Sequence, residues 1–164
     1  MAISVLVVDD DIAALAFARR VLSAAGYAVS EASNGGEALQ QIMANSPDVL
    51  ITDILMPDGD GIELIAAVKR AHPTMRVIAV TERRFLGALD LLDLANKLGA
   101  DATLEKPLVS DRLLATIASL AGSEAQLAQP TDQGDPARRA KSATTSKLLT
   151  ARSSIVTRTP TNSW

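Results

Sequence analysis

The sequence predicts an α/β domain, an open parallel sheet with helices on both faces. Between Ile3 and Leu120, short apolar runs alternate five times with amphipathic stretches. Three of the runs are nearly continuous in Val, Ile, Leu and Ala, the pattern of strands buried on both faces. The helical stretches between them end at readable stop signals. A (βα)₅ order of this kind builds a sheet flanked by helices.

The first run, Ile3–Val8, leads into Asp9-Asp10-Asp11, one of which is expected to cap the helix that follows. Leu15, Ala18, Val21, Leu22 and Ala25 form the apolar stripe of that helix, and Gly26 ends it. The second run is Ala28–Ala32, followed by a stripe of Ala38, Leu39, Ile42 and Met43 that stops at Ser46-Pro47. Val49–Asp53 is the third run, and the stripe of Leu64, Ile65 and Val68 after it stops at His72-Pro73. The Asp58-Gly59-Asp60-Gly61 segment between them reads as a glycine-shaped turn. Arg76–Val80 and Ala102–Glu105 are the last two runs. Between them, Leu86–Leu98 reads as a helix with an apolar arc wider than the roughly 100° that sheet packing requires. Ser110 is the expected N-cap of a final helix bearing Leu113, Leu114, Ile117 and Leu120. His72 reads as a surface residue at a helix end.

Composition narrows the function. Hydrophobic residues make up 48% and aromatics 2%, so the core is aliphatic. The absence of cysteine excludes a disulfide framework and thiolate metal sites. A lone histidine, His72, argues against zinc and against a histidine-based triad. Residues 1–121 hold 10 Lys/Arg against 16 Asp/Glu, a net of −6. An acidic body does not suit nucleic acid, where phosphate neutralisation dominates affinity, so no direct DNA binding is expected. No stretch approaches the roughly 20 apolar residues of a membrane span, and a cytoplasmic location without membrane contact is the expectation. Residues 122–164 carry a net of +3 and are rich in Thr, Ser, Ala, Pro and Arg without a sustained period. They read as a low-complexity, disordered tail after a domain at 1–121.

The chemistry gathers where the runs end. Parallel sheets bind ligands beyond the carboxyl ends of their strands, and there the sequence puts Asp9, Asp10, Asp53, Thr81 and Lys106. Carboxylates brought together repel one another and call for a cation. Asp9 and Asp10 are oxygen ligands suited to magnesium, which takes one or two carboxylates and keeps several waters. Asp53 is the candidate nucleophile, since a carboxylate can attack phosphorus to give an acyl phosphate. Lys106 and the Thr81 hydroxyl are placed to bind phosphoryl oxygens.

Four motifs together, Val7-Val8-Asp9-Asp10, the segment from Asp53-Ile54-Leu55-Met56-Pro57 to Gly61, Val80-Thr81 and Glu105-Lys106-Pro107, resemble the receiver domain of two-component response regulators over residues 3–121. The resemblance implies a flavodoxin-like three-layer sandwich with strand order 2-1-3-4-5; the chemotaxis receiver is one of the standard examples of that fold. It implies phosphoryl transfer from a sensor histidine kinase or histidine phosphotransfer protein to Asp53, with Mg²⁺ held by Asp9, Asp10, Asp53 and the Leu55 backbone carbonyl. It also suggests a cis peptide before Pro107. The chain is then a phosphoacceptor with self-catalysed phosphotransfer and dephosphorylation rather than an enzyme. Output is expected through protein–protein contact, with 86–98 as a downstream-partner or homodimer surface. Two alternatives are a phosphorylation-independent scaffold and an aspartate-nucleophile phosphatase; the second wants an acid where Leu55 stands.

The sequence departs from the family at three points. Glu82 follows the strand-four threonine where receivers carry a small residue, so it is expected to disfavour a phosphodonor unless Arg83 or Arg84 neutralises it. Thr103 occupies the position of the usual aromatic switch, leaving Phe85 or the loop after Thr81 to carry the signal. Leu55 offers an apolar cover for the acyl phosphate, able to exclude water but not to orient it.

Overall fold

The computed structural model describes residues 2–57, 61–82 and 84–127. Five parallel strands form one sheet: β1 (Ser4–Val8), β2 (Ala28–Ala32), β3 (Val49–Asp53), β4 (Arg76–Thr81) and, after two short strands, β7 (Ala102–Glu105). Their order is β2-β1-β3-β4-β7. With the short pair set aside, this is the expected 2-1-3-4-5 arrangement. Continuous runs become central strands, as β3 shows: all five of its residues are buried. The edge strand β2 instead alternates, with Ala28, Ser30 and their neighbours partly in solvent.

Helices α1 (Ile12–Ala24), α2 (Gly35–Asn45), α3 (Gly61–Ala71), α4 (Leu91–Lys97) and α5 (Ser110–Leu127) cover the two faces. On one face Ala38, Ile42, Leu64, Ile65, Val68, Leu91 and Ala95 pack on Leu6, Leu50 and Val77. On the other, Ala18, Leu22, Leu113 and Ile117 pack on Val5, Val7, Ile51 and Ile78. Burying an aliphatic side chain of this size contributes about 1.5–3 kcal/mol, so the alternating stripes drive the layering. Asp11 is the N-cap of α1 and accepts from the Ala13 N–H. Asn34 caps α2 in the same way through the Glu37 N–H. The stop at Gly26 works through a φ of +90°, a conformation that costs glycine little. Ser110 is the first residue of α5 rather than its cap, a shift of one position. Half-buried His72 lies one residue beyond α3.

One element differs in kind. The stretch Leu86–Leu98 is not a single helix. Phe85–Leu86 (β5) and Leu89–Asp90 (β6) pair antiparallel, joined through Gly87 at φ +61°. The helix starts only at Leu91, because the Asp90 side chain accepts from the Leu92 and Asp93 N–H groups and caps it there. A helical wheel drawn through the hairpin therefore combined two faces that do not exist together. Leu91, Leu92 and Ala95 are buried against the sheet, whereas Phe85 (58%), Leu86 (54%) and Leu89 (46%) are exposed. The apolar surface in this region belongs to the hairpin, not to the fourth helix.

Helix α5 continues through 122–127, past the boundary expected at 121. The remainder of the expected tail, 128–164, lies outside the described residues, as do Asp58-Gly59-Asp60 of the expected turn and Arg83. Among the described residues no helix is long and apolar enough to cross a membrane.

Candidate phosphoryl-transfer site

The register of the sheet brings the site together. Val8 pairs with Thr52, Asp53 with Val80, and Thr81 with Glu105. Asp9, Asp53, Thr81 and Lys106 therefore emerge side by side at one edge. Asp9, Asp53 and Thr81 are buried, while Asp10 is exposed.

Lys106 is the centre of the cluster. Its Nζ lies 2.6 Å from Asp53 Oδ2 and 2.7 Å from Asp9 Oδ2. The remaining carboxylate oxygens are held by main-chain donors: the Leu55 N–H donates to Asp53 Oδ1 at 2.9 Å, and the Asp11 N–H to Asp9 Oδ1 at 2.9 Å. Lys106 is itself anchored, its N–H donating to the Thr81 carbonyl at 2.9 Å. The Lys106-Pro107 peptide is cis.

Three acids stand against one ammonium, and the ionisation equilibria register that imbalance. Burial pushes the Asp9 carboxyl above its ordinary value despite its bond to Lys106, and the nearby Asp53 charge adds to the rise. Burial would lower the Lys106 ammonium, but its bonds to Asp53 and Asp9 outweigh this and hold it above the ordinary lysine value. Asp9, Asp10 and Asp53 each offer one oxygen, all within 4.8 Å of one another. Hard carboxylate oxygens converging in excess of local positive charge suit a cation such as magnesium. The donor set fits the ion that the sequence implies.

A cavity of about 300 Å³ opens onto the cluster, lined by Asp10, Asp11, Asp53, Leu55, Glu82 and Lys106. Leu55 is part of its wall. Glu82 is exposed and adds a further negative charge to the mouth. Arg84 does not serve as its counter-ion: its guanidinium bonds Asp90 at 3.0 Å and approaches Glu105 at 3.9 Å. Phe85 does not fill the space beside Thr103 either. It is exposed on β5, with the Arg84 guanidinium 5.4 Å from its ring centroid. Beside Thr103 lies instead a polar cavity of about 480 Å³, lined by residues including Arg84, Asp90, Glu105 and Arg112.

The sequence singled out the acids, the threonine and the lysine, and the fold brings them together. It did not single out Thr52, whose Oγ1 donates to the Asp53 carbonyl at 3.0 Å. Nor did it separate Gly61 from its neighbouring glycine. A Cβ on Gly61 would overlap the Asp53 carbonyl oxygen and stand 2.8 Å from both the Asp53 carbonyl carbon and Ile54 Cα. Periodicity carries no trace of either contact.

Known proteins resemble this chain in sequence and in fold. The family model for the response regulator receiver domain matches residues 5–118. Response regulator MprA of Mycobacterium ulcerans is 36% identical over 124 residues, 73% of this chain and 50% of that protein. The protein of the same name from Mycobacterium tuberculosis H37Rv is 36% identical, with 51% of its length covered. The chain thus spans about half the length of these curated relatives. Among solved structures, a CheY-like receiver domain protein from Methanospirillum hungatei superposes with a TM-score of 0.70 at 31% identity, covering 77% of this chain and 99% of the other. Chemotaxis protein CheY4 of Vibrio cholerae gives 0.67 at 29% identity, covering 73% and 99%.

Proposed function

This chain belongs to the response regulator receiver family of two-component systems, and we propose that it is a phospho-switch whose acceptor is Asp53. The observation that carries the proposal is the Asp53 carboxylate itself. It is buried, aimed by the Leu55 N–H and by Lys106, and opens onto a cavity of about 300 Å³.

In the proposed reaction an Asp53 carboxylate oxygen attacks phosphorus of a phosphohistidine on a sensor kinase or histidine phosphotransfer protein. The new O–P bond forms as the P–N bond breaks, and the imidazole leaves with the electron pair and takes up a proton. Lys106 Nζ, now shared between Asp53 and Asp9, turns to the phosphoryl oxygens, and the Thr81 hydroxyl binds another. Asp9, Asp10, Asp53 and the Leu55 carbonyl would hold Mg²⁺, which supplies positive charge to offset that of the phosphoryl group. Leu55 shields the acyl phosphate from water. Hydrolysis by the same site resets the switch, so the chain acts on its own phosphate and not on a separate substrate.

Signalling by protein–protein contact suits the exposed hairpin of Phe85, Leu86 and Leu89, which begins only four residues after Thr81. A cytoplasmic location accords with a kinase partner. Incubation with Mg²⁺ and acetyl phosphate is expected to add the mass of one phosphate to the unaltered chain and none to Asp53→Asn. A mass gain retained by Asp53→Asn would move the acceptor elsewhere. No gain in either protein would favour a phosphorylation-independent scaffold.

A further inference from the structure

We infer that the Asp53 main-chain carbonyl is held by the Thr52 hydroxyl and by the close approach of the bare Cα of Gly61, and that this clamp aims the metal- and phosphoryl-binding groups. The inference rests on the proposed role of Asp53 and adds two positioning residues to it.

Three links connect the clamp to the chemistry. First, Gly61 begins α3 with its Cα against the Asp53 carbonyl, closer than any side chain allows. Gly61 is not among the positive-φ glycines of the described residues, and the need for glycine here is one of space. Second, the Gly61 N–H donates to the Ile54 carbonyl at 3.0 Å, and the Ile54 N–H donates to the Val80 carbonyl at 2.8 Å. The turn leaving β3 is therefore pinned to both α3 and β4. Third, the next residue, Leu55, donates its N–H to Asp53 Oδ1 and carries the carbonyl assigned to the metal. A displacement at Gly61 must shift the Asp53 carbonyl, the Ile54 backbone, or both. Either movement re-aims the carboxylate and the Leu55 carbonyl. Thr52 Oγ1, fully buried, donates to the same Asp53 carbonyl.

Groups that orient metal ligands typically control affinity by about 10- to 100-fold when removed. The test is titration of the full chain with MgCl₂ by isothermal calorimetry at low temperature, with circular dichroism confirming that each variant is folded. Gly61→Ala is expected to raise the Mg²⁺ Kd about tenfold, and Thr52→Val, which keeps the shape but loses the donor, about threefold. Val68→Ala is the control. It loosens the same helix at a buried position without touching the carbonyl, so it lowers the melting temperature and leaves the Kd within about twofold.

A folded Gly61→Ala with unaltered Kd overturns the clamp. So does an equal rise in Val68→Ala, which would reduce the effect to general softening. Should Gly61→Ala fail to fold, Thr52→Val decides: a raised Kd supports the clamp, and an unchanged one overturns it. Failure of the unaltered chain to bind Mg²⁺ would instead overturn the reading of the site on which the clamp depends.

Discussion

Two ion clusters sit at opposite ends of the same sheet, and they are built on opposite charge balances. In the cluster at the amino ends of β4 and β7, Asp101 is the acid between Lys69 and Arg76. It accepts from Lys69 Nζ at 2.5 Å, from the Val77 N–H at 2.8 Å and from Arg76 at 3.3 Å. Lys69 also donates to the Met75 carbonyl at 2.8 Å. Burial alone would raise the Asp101 carboxyl, but these donors hold it below its ordinary value. At the carboxyl ends three acids gather about one lysine that bonds two of them, and the Asp9 carboxyl is pushed upward. The carboxylate of the first cluster is satisfied by the protein and ties α3, β4 and the approach to β7 together. The second gathers three acids about one lysine, and on that imbalance the proposed metal and phosphoryl binding rests.

Lys106→Met should produce the largest change. It leaves the carboxylates without their shared cation, and breaking a buried pair of this kind costs about 3 kcal/mol. Urea unfolding in magnesium-free buffer measures the loss, and millimolar Mg²⁺ should recover part of it. Asp101→Asn comes next, at about 2 kcal/mol for a hydrogen-bonded charge, and Mg²⁺ should restore none of it. Equal magnesium responses in the two variants would erase the distinction between the clusters.

Their pH dependences should also oppose each other. A carboxyl held below its unfolded value stabilises the fold above that value, 3.8 for Asp101, and the contribution disappears as pH falls through the lower folded value. The stability difference between the unaltered chain and Asp101→Asn should therefore shrink on acidification below about pH 4. Asp9 behaves in the reverse sense. Its folded value is raised, so its ionisation weakens the fold as pH rises through the interval above 3.8. Asp9→Asn should raise the melting temperature at pH 7 without magnesium, by less than either preceding change, and the gain should vanish in acid. Thermal melts across pH 3–7 decide both signs.

The smallest effect concerns the mouth of the site. Glu82→Ala removes one exposed negative charge from the cavity wall and should speed phosphorylation by acetyl phosphate about threefold, the scale of a solvent-screened charge a few ångströms away. Equal kinetics in the two proteins would leave Glu82 without influence on the donor.

Much of this molecule is legible along the chain. β2 and β3 span the same residues as the second and third apolar runs; the continuous run of β3 is buried on both faces of the sheet, whereas the mixed run of β2 takes an edge. Asp9, Asp53 and Lys106 are legible because each directly follows or ends such a run, and strand ends in parallel register must meet. The hairpin at Phe85–Asp90 was not legible. Its leucines satisfy a helical period, and the positive φ of Gly87 and the capping bonds of Asp90 outweigh that period only once the backbone is in place. The outward placement of the Phe85 ring on β5 was no more legible.

The sequence by itself determined the alternation of strands and helices, the aliphatic core and the residue types at one sheet edge, since each follows from local periodicity or from what terminates a run. Only the tertiary structure decided how those residues share their contacts. Lys106 bridges two carboxylates that lie 44 residues apart in sequence, Asp101 draws its cations from α3 and β4, and Gly61 approaches Asp53 more closely than any other residue could. Distances of a few ångströms between separate elements arise from sheet register and helix packing, and no local pattern encodes them.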